Sequence, residues 1–231
     1  MLVAPKYESL FTSEAVDDYL KAIFELSGPS EDVVTGNALA GRLGVRAASV
    51  TGMLQKLAAR RPSFVKYEKR RGVRLTAAGR RRALEVLRHH RLLERFLHEC
   101  LGFSWDEVHE DAERLEHFIS ERLEDRIAAK LGEPNIDPHG HLIPERSGSL
   151  PFRSETPLLD WACGVPARIS SVSDRDPAAL REIERLGLTP GVQLVVASGS
   201  RNASLLVHIP TAGDPVRVSR RLAEAILVSS A

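Results

Sequence analysis

The sequence predicts a mostly α-helical protein with small β parts, arranged as a winged helix-turn-helix, a helical segment and a small C-terminal β-barrel. Apolar residues recur at helical spacing through residues 14–132. Glycine and proline are concentrated between residues 132 and 157, as in a linker or an irregular loop region. Beyond that segment the apolar stretches are short and separated by turns, which favours a small barrel. We therefore expect domains at residues 1–76, 77–150 and 151–231.

The N-terminal domain is predicted to contain three helices and a β-hairpin. The helices are expected at residues 14–26, 37–43 and 47–60. The strands of the hairpin are expected at residues 64–67 and 73–76, around the turn Lys69-Arg70-Arg71-Gly72. Because Gly44 separates the second and third helices, this pair has the layout of a helix-turn-helix. The basic hairpin after it supplies the wing.

The remaining elements follow from the same periodicities. Residues 77–100 are predicted to form one long helix, and residues 105–132 are helical again in one or two pieces. In the C-terminal part we expect strands at residues 167–172, 193–198, 204–209 and 226–228. Residues 178–186 are expected to form the only helix after the linker.

Composition excludes several classes of protein. Hydrophobic residues make up 43% and charged residues 27% of the chain, which excludes wholesale disorder. The longest uncharged apolar run, near residues 194–197, is far shorter than the roughly 20 residues of a membrane span. The N-terminus lacks the pattern of a signal peptide, and two cysteines are too few for a disulfide framework. We therefore expect a cytoplasmic protein with no membrane partner.

Charge is distributed unevenly along the chain. Residues 36–82 contain thirteen Lys/Arg and one acid, a net charge of +12. Residues 85–134 contain thirteen Asp/Glu and seven Lys/Arg, a net charge of −6, together with five of the eight histidines. Residues 152–231 contain nine basic and eight acidic residues. A basic, an acidic and a neutral block indicate three separate tasks.

The basic block is predicted to bind double-stranded DNA. Its second helix-turn-helix helix opens on small and polar residues, which allow it to enter the major groove. We expect Arg46, Ser49 and Thr51 to read base edges. Further cations are expected to contact phosphate or the minor groove; these are Lys56, Lys69, Arg70 and Arg71. A basic run alone is more often a solvated surface, but here it coincides with a helix-turn-helix and a wing.

The acidic block is predicted to bind a metal ion. His90 and Glu94 share one helix face at i and i+4. Four more residues fall at i, i+4, i+7 and i+8 of the next helix; these are His109, Glu113, Glu116 and His117. Burying so many charges without a cation would cost several kcal/mol each, although such pairs also occur on exposed helices. His89 and His98 match no such pattern, and we assign both to the surface or an interface.

Four short motifs follow one another within residues 14–132; these are Asp18-Tyr19-Leu20, His90-Arg91-Leu92-Leu93-Glu94, Val108-His109 and Glu116-His117. In these motifs and their order, residues 14–132 resemble the diphtheria toxin repressor family of iron- and manganese-dependent transcription regulators. Pro138-His139-Gly140, followed by Ile143-Pro144, is similar to the loop after the dimer helices of that family. The C-terminal part, with Leu186-Gly187-Leu188 and Pro190-Gly191, is similar to the SH3-like domain of its longer members.

The resemblance implies two metal sites. One would use Asp18, Glu113, Glu116 and His117. The other would use His90, Glu94 and His109, completed by an acid of the C-terminal domain. For that acid we choose Asp176, although Asp174 is as close in register and Asp176 is also placed to cap a helix.

Three departures from the family pattern bear on the choice of metal and of operator. Iron-sensing members have Met and Cys where this chain has Asp18 and Glu113, and ligand sets of oxygen and imidazole favour Mn²⁺ over softer metals. Lys21 occupies a position at which some manganese-sensing members have an acid, which argues against their closely spaced metal pair. Gly52 replaces a base-contacting Gln of some iron-sensing members, so their operator sequence does not carry over.

We interpret the chain as a homodimeric regulator, activated by Mn²⁺ or Fe²⁺, that binds palindromic operators of metal-homeostasis genes. Two alternatives are a winged-helix regulator that senses a small organic ligand and a Mn/Fe-dependent enzyme. The sequence contains no separate nucleophile or base motif, and an enzyme would not explain the basic winged helix. We therefore expect neither catalysis nor an organic substrate.

Overall fold

The structure is a computed structural model that describes residues 13–199, 204–210 and 213–231. The chain forms two compact units, the first ending at Val86 and the second beginning at Leu87. The predicted fold class, mostly helical with an antiparallel sheet domain at the C-terminus, is confirmed. Among the described residues, no helix combines the length and the apolarity that a membrane crossing requires.

The first unit contains the predicted winged helix-turn-helix. Its elements are α1 (Glu14–Ser27), α2 (Gly36–Leu43), α3 (Ala47–Ala59), β1 (Val65–Glu68), β2 (Gly72–Leu75) and the first part of α4 (Ala77–Leu101). Leu20 and Ile23 of α1, Leu39 of α2 and Leu57 of α3 are fully buried in one apolar cluster. Each of these helices therefore turns one apolar face inward, as its residue spacing predicts.

The wing is an antiparallel pair in which Val65 lies opposite Leu75. Its β2 strand also forms a bridge between Val73 and Val34, the residue before the cap of α2. Gly72 has a φ of 122°, and a Cβ at this position would lie 2.5 Å from the carbonyl oxygen of Val34. Glycine is therefore required where the wing joins the helix-turn-helix.

The helical part of the second unit comprises the rest of α4, α5 (Val108–Leu115) and α6 (Glu121–Lys130). Residues 105–132 thus form two helices, one of the two arrangements that we allowed. Leu92 and Leu97 of α4 pack with Val108 of α5 and Ile127 of α6 in a buried cluster. This packing fixes α4 and α5 side by side.

The C-terminal part of the second unit is an antiparallel sheet. Its elements are β3 (Thr156–Pro157), a 3-10 turn (Leu158–Asp160), β4 (Pro166–Val172), α7 (Pro177–Arg185), β5 (Gln193–Gly199), β6 (Leu205–His208), β7 (Val216–Val218), α8 (Arg220–Ala225) and β8 (Ile226–Ser230). In the described residues the strand order is β3-β8-β4-β5-β6-β7. The expectation of a single helix here was wrong, because α8 is also present. With six residues, α8 is too short to show a helical period in the sequence.

Trp105 connects the helices of the second unit to its sheet. This residue precedes α5, yet it is buried in the apolar cluster of the sheet. Next to it, the carboxylate of Asp106 accepts a hydrogen bond of 2.6 Å from Arg181 of α7. The start of α5 therefore lies against the sheet, close to the loop between β4 and α7.

Candidate functional site

Four potential metal ligands converge in the second unit. They are His90 and Glu94 of α4, His109 in the first turn of α5, and Asp174 in the loop between β4 and α7. His90 Nε2 lies 3.0 Å from Glu94 Oε1 and 3.2 Å from His109 Nδ1. Asp174 Oδ2 lies 3.6 Å from His109 Nδ1. One ligand atom of each residue falls within 4.8 Å of the others, so a single ion could be held by all four.

A loop of the segment that we interpreted as a linker or an irregular loop region adds three more polar groups, Asp137, His139 and His141. Asp137 Oδ1 accepts hydrogen bonds from the backbone N–H groups of His139 and His141, at 2.8 and 3.0 Å. His139 Nε2 donates to the carbonyl oxygen of Trp105 at 2.7 Å, so its Nδ1 points the other way. His141 Nδ1 lies 3.1 Å from Asp137 Oδ2 and 3.9 Å from Asp174 Oδ2.

This loop was missed as a source of ligands in the sequence. We used Pro138-His139-Gly140 only for its resemblance to the family. The Asp-x-His-x-His spacing of residues 137–141 was the signal that could have identified the loop as a source of ligands. Gly140 has a φ of 87°, and a Cβ there would lie 2.2 Å from the carbonyl oxygen of Ser170 in β4. The loop is therefore packed directly on the sheet.

Three arginines on one face of α4 hold the same loop. Arg88 donates to the carbonyl oxygen of Pro144 at 2.8 Å, and Arg95 donates to that of Ile136 at 2.6 Å. Arg91, between them, donates to the carbonyl oxygen of Leu142. Since these arginines are three and four residues apart, they lie above one another on the helix. Residues 136–144 are thereby fixed along α4.

The centre contains buried polar atoms that fit a cation. Glu94 is fully buried, and its Oε2 has no hydrogen-bond partner among the described residues. The same holds for Nδ1 of His139, which lies 3.6 Å from that oxygen, too far for a hydrogen bond. A buried carboxylate oxygen without a partner is costly. These two atoms are the kinds of ligand that a divalent metal takes.

Electrostatics keeps the carboxylates of the metal-free centre ionised. Burial by itself raises the pKa of Glu94, but the positive charge of His90 and the contacts with His109 and His139 bring that pKa well below its ordinary value. Burial lowers the pKa of His139, yet Glu94 outweighs it and raises the pKa to about 9. For Asp174, burial is outweighed by His141, and the pKa falls. Neighbouring histidines thus lower the pKa values of these carboxylates.

The structure corrects the choice of Asp176. That residue is the N-cap of α7, where its carboxylate accepts hydrogen bonds from the N–H groups of Ala178 and Ala179, both at 3.1 Å. It is half-buried and also pairs with Arg221. Asp174, two residues earlier, is the acid that lies beside His109. Capping needs a short acceptor at the helix start, and Asp176 meets that need.

The other predicted ligand set is placed as follows. Glu116 follows the last residue of α5 and is buried, and its carboxylate accepts a hydrogen bond of 2.5 Å from Nδ1 of His90. His117 Nε2 lies 3.7 Å from Glu116 Oε1. Glu113 is exposed and belongs to none of the ligand groups found among the described residues. Asp18 lies in α1 of the first unit. This set stays a prediction.

The predicted DNA-binding residues lie on α3 and the wing. Arg46 is the N-cap residue of α3, and Arg46, Ser49 and Lys56 are exposed. Thr51 is half-buried, and its hydroxyl donates to the carbonyl oxygen of Ala47. The wing residues Lys69, Arg70 and Arg71 are also exposed. Arg70 has a φ of 69° at the tip, and Arg71 pairs with Glu68 at 3.0 Å. Their role in DNA binding stays a prediction.

Three family models match the chain. Residues 11–73 match "Iron dependent repressor, N-terminal DNA binding domain", and residues 76–145 match "Iron dependent repressor, metal binding and dimerisation domain". Residues 156–230 match the FeoA domain.

Comparison with individual proteins also gives metal-dependent repressors. The iron-dependent repressor IdeR of Mycobacterium leprae is 34% identical over 228 residues, which are 93% of this chain and 96% of that protein. The HTH-type transcriptional regulator MntR of Oceanobacillus iheyensis is 35% identical over 113 residues, 49% of this chain and 74% of that one. A solved manganese-dependent transcriptional repressor in complex with manganese superposes with a TM-score of 0.86 at 39% identity, over 94% of this chain and all of that one.

Proposed function

The chain belongs to the diphtheria toxin repressor family, and on that premise we propose that it is a metal-dependent transcriptional repressor that binds operator DNA as a homodimer. Its regulatory metal is Mn²⁺ or Fe²⁺. The observation that carries the proposal is the buried carboxylate of Glu94, whose Oε2 has no hydrogen-bond partner among the described residues and faces Nδ1 of His139.

We propose His90, Glu94, His109 and Asp174 as the main ligands of one metal site, with His139 as an additional donor. A bound divalent cation would supply positive charge to the carboxylates of this centre. The donor atoms are oxygen and imidazole nitrogen only, and hard oxygen ligands suit Mn²⁺. Asp18, Glu113, Glu116 and His117 are proposed as a second set on the family resemblance alone.

The centre also suggests how metal loading acts as a switch. Its ligands come from α4, α5, the loop at residues 137–141 and the loop before α7. An ion shared by these segments favours the arrangement in which they lie together. A preference of a few kcal/mol over other arrangements is enough to shift a two-state equilibrium.

DNA binding would use the residues that we identified on α3 and the wing. In a symmetric dimer, two such helices spaced about one helical turn of DNA apart read a palindromic site. The extents of the family models support the proposed domain limits of 1–76, 77–150 and 151–231. A repressor acts where the DNA is, and we therefore propose the cytoplasm as its location.

The test is metal-dependent operator binding. Duplexes selected from a random library by the full chain with Mn²⁺ are measured again with Mn²⁺ and with a chelator. We expect the chelator to abolish specific binding and Mn²⁺ to restore it. Unchanged binding in the chelator would refute the proposal and favour a regulator of an organic ligand. The relatives are DNA-binding repressors, a class of protein that is not enzymatic.

A further inference from the structure

Two consecutive histidines of α4 hold a single residue, Glu116. The Nδ1 atom of His89 lies 3.0 Å from the backbone carbonyl oxygen of Glu116. The Nδ1 atom of His90 lies 2.5 Å from its carboxylate oxygen Oε2. His89 is only 3% exposed within the single chain, so its assignment to the surface or an interface was wrong, whereas His98 is exposed as expected. The spacing of residues along α4 did not predict the burial of His89, because its partners are distant in the sequence.

The hydrogen-bond partners of His89 fix the orientation of its ring and the role of each ring nitrogen. Its Nε2 lies 3.0 Å from Oε2 of Glu124 in α6. A backbone carbonyl and a carboxylate can only accept hydrogen bonds, so both ring nitrogens of His89 donate. The other oxygen of Glu124 accepts from Arg88 at 2.5 Å. Burial tends to raise the pKa of Glu124, but the hydrogen bonds from His89 and Arg88 lower it. The ring of His89 is therefore fixed at both ends.

The position of Glu116 in turn determines which ring nitrogen of His90 faces the metal centre. Because the carboxylate of Glu116 accepts a hydrogen bond from Nδ1, the other nitrogen of His90, Nε2, is the one directed at the centre. That atom lies next to Glu94 and His109. An imidazole that binds metal through one nitrogen usually donates the other N–H to a carboxylate, which sets its orientation and its basicity.

We propose that His89 is a positioning residue of the metal centre, which holds Glu116 by its backbone and so directs Nε2 of His90 toward the metal. This inference rests on the proposed function, since it assumes a metal bound by His90. It assigns His89 no contact with the metal. The contact that matters is the one to the Glu116 carbonyl, and the contact to Glu124 keeps the ring in place.

Two substitutions separate the two contacts of His89. The amide nitrogen of asparagine is attached at the position of Nδ1, so His89→Asn retains a donor for Glu116. The amide nitrogen of glutamine corresponds to Nε2, so His89→Gln retains the donor for Glu124 only. His98→Gln is a matched control, because His98 is an exposed histidine of α4 whose Nδ1 also contacts a carbonyl oxygen, that of Phe103.

The measurement is the Mn²⁺ dissociation constant of the full chain by calorimetric titration, together with the melting temperature of each metal-free variant. We expect His89→Gln to weaken Mn²⁺ binding by about 10–100-fold, the range for residues that orient metal ligands. His89→Asn should stay close to the wild type in affinity, as should His98→Gln. Both His89 variants should melt at lower temperature than the wild type, because each loses one buried hydrogen bond.

Wild-type affinity in His89→Gln, or equal losses of affinity in the Asn and Gln variants, would overturn the inference. If His89→Gln does not fold, His89→Lys replaces it, because lysine keeps a cation beside Glu124 without a donor at the position of Nδ1. His89→Lys should then show the loss. A wild-type chain that binds neither Mn²⁺ nor Fe²⁺ would instead overturn the proposed function, and this inference with it.

Discussion

Separate substitutions of two nearby aspartates, Asp174 and Asp176, test the metal centre most directly. In Asp174→Asn an amide replaces the acid that we place at the metal. In Asp176→Ala the N-cap of α7 is removed instead. The two positions are two residues apart on one loop, so each variant is the control for the other.

The expected size of the Asp174→Asn effect follows from short-range electrostatics. The Oδ2 atom of Asp174 lies within 4 Å of Nδ1 of His109 and of His141. At an effective dielectric constant of about 20, two unit charges about 4 Å apart interact by about 4 kcal/mol. Part of this is offset, because the substitution also removes the attraction between Asp174 and His141 that stabilises the chain without metal. We expect a net loss of at least about 1.4 kcal/mol, a tenfold weaker Mn²⁺ affinity.

Asp176→Ala should behave in the opposite way. It should lower the melting temperature of the metal-free chain by a few degrees, because two N–H groups of α7 lose their acceptor. Its Mn²⁺ affinity should equal that of the wild type. Calorimetric titration and thermal unfolding of both variants measure these effects. A tenfold loss of affinity in Asp176→Ala with none in Asp174→Asn would refute the placement of the ligand.

Further predictions concern the buried residues Glu94 and His139 and the wing. Glu94→Gln should weaken Mn²⁺ binding at least tenfold and lower the pKa of His139 from about 9; an NMR titration that still gives about 9 would contradict this. In the metal-free chain the raised pKa of His139 stabilises the fold by about 3 kcal/mol below pH 6.5. That stabilisation is lost as the pH rises through about 9. The melting temperature of His139→Gln should therefore lack this pH dependence; the same dependence of melting temperature on pH in His139→Gln and the wild type would contradict a stabilising role of the His139 charge. Arg70→Ala with Arg71→Ala should reduce the slope of log affinity against log salt by about 0.9 for each lost phosphate contact, whereas Arg185→Ala on α7 should leave it unchanged. An unaltered slope in the double variant would show that the wing does not contact phosphate.

The sequence by itself determined the features that depend on neighbours along the chain. The periods of apolar residues predicted α1, α3 and α4 to within one residue at most ends. The i, i+4 spacing placed His90 and Glu94 on one face of α4. The basic block and the glycine turn predicted the winged helix-turn-helix. These features are local, so the composition and order of a short stretch are enough to predict them.

Only the tertiary structure decided which distant groups complete the centre. His139 lies in a segment whose glycines and prolines indicated a linker or an irregular loop region. Three arginine contacts from α4 to the carbonyls of that segment fix it beside Glu94. In the sequence Asp174 and Asp176 are equally close in register, and we chose Asp176. The burial of Trp105 in the core of the sheet brings α5 to the loop before α7, and there Asp174 faces His109 while Asp176 caps the helix. The choice between them depends on how two apolar surfaces pack, and packing is a property of residues that are far apart in the sequence.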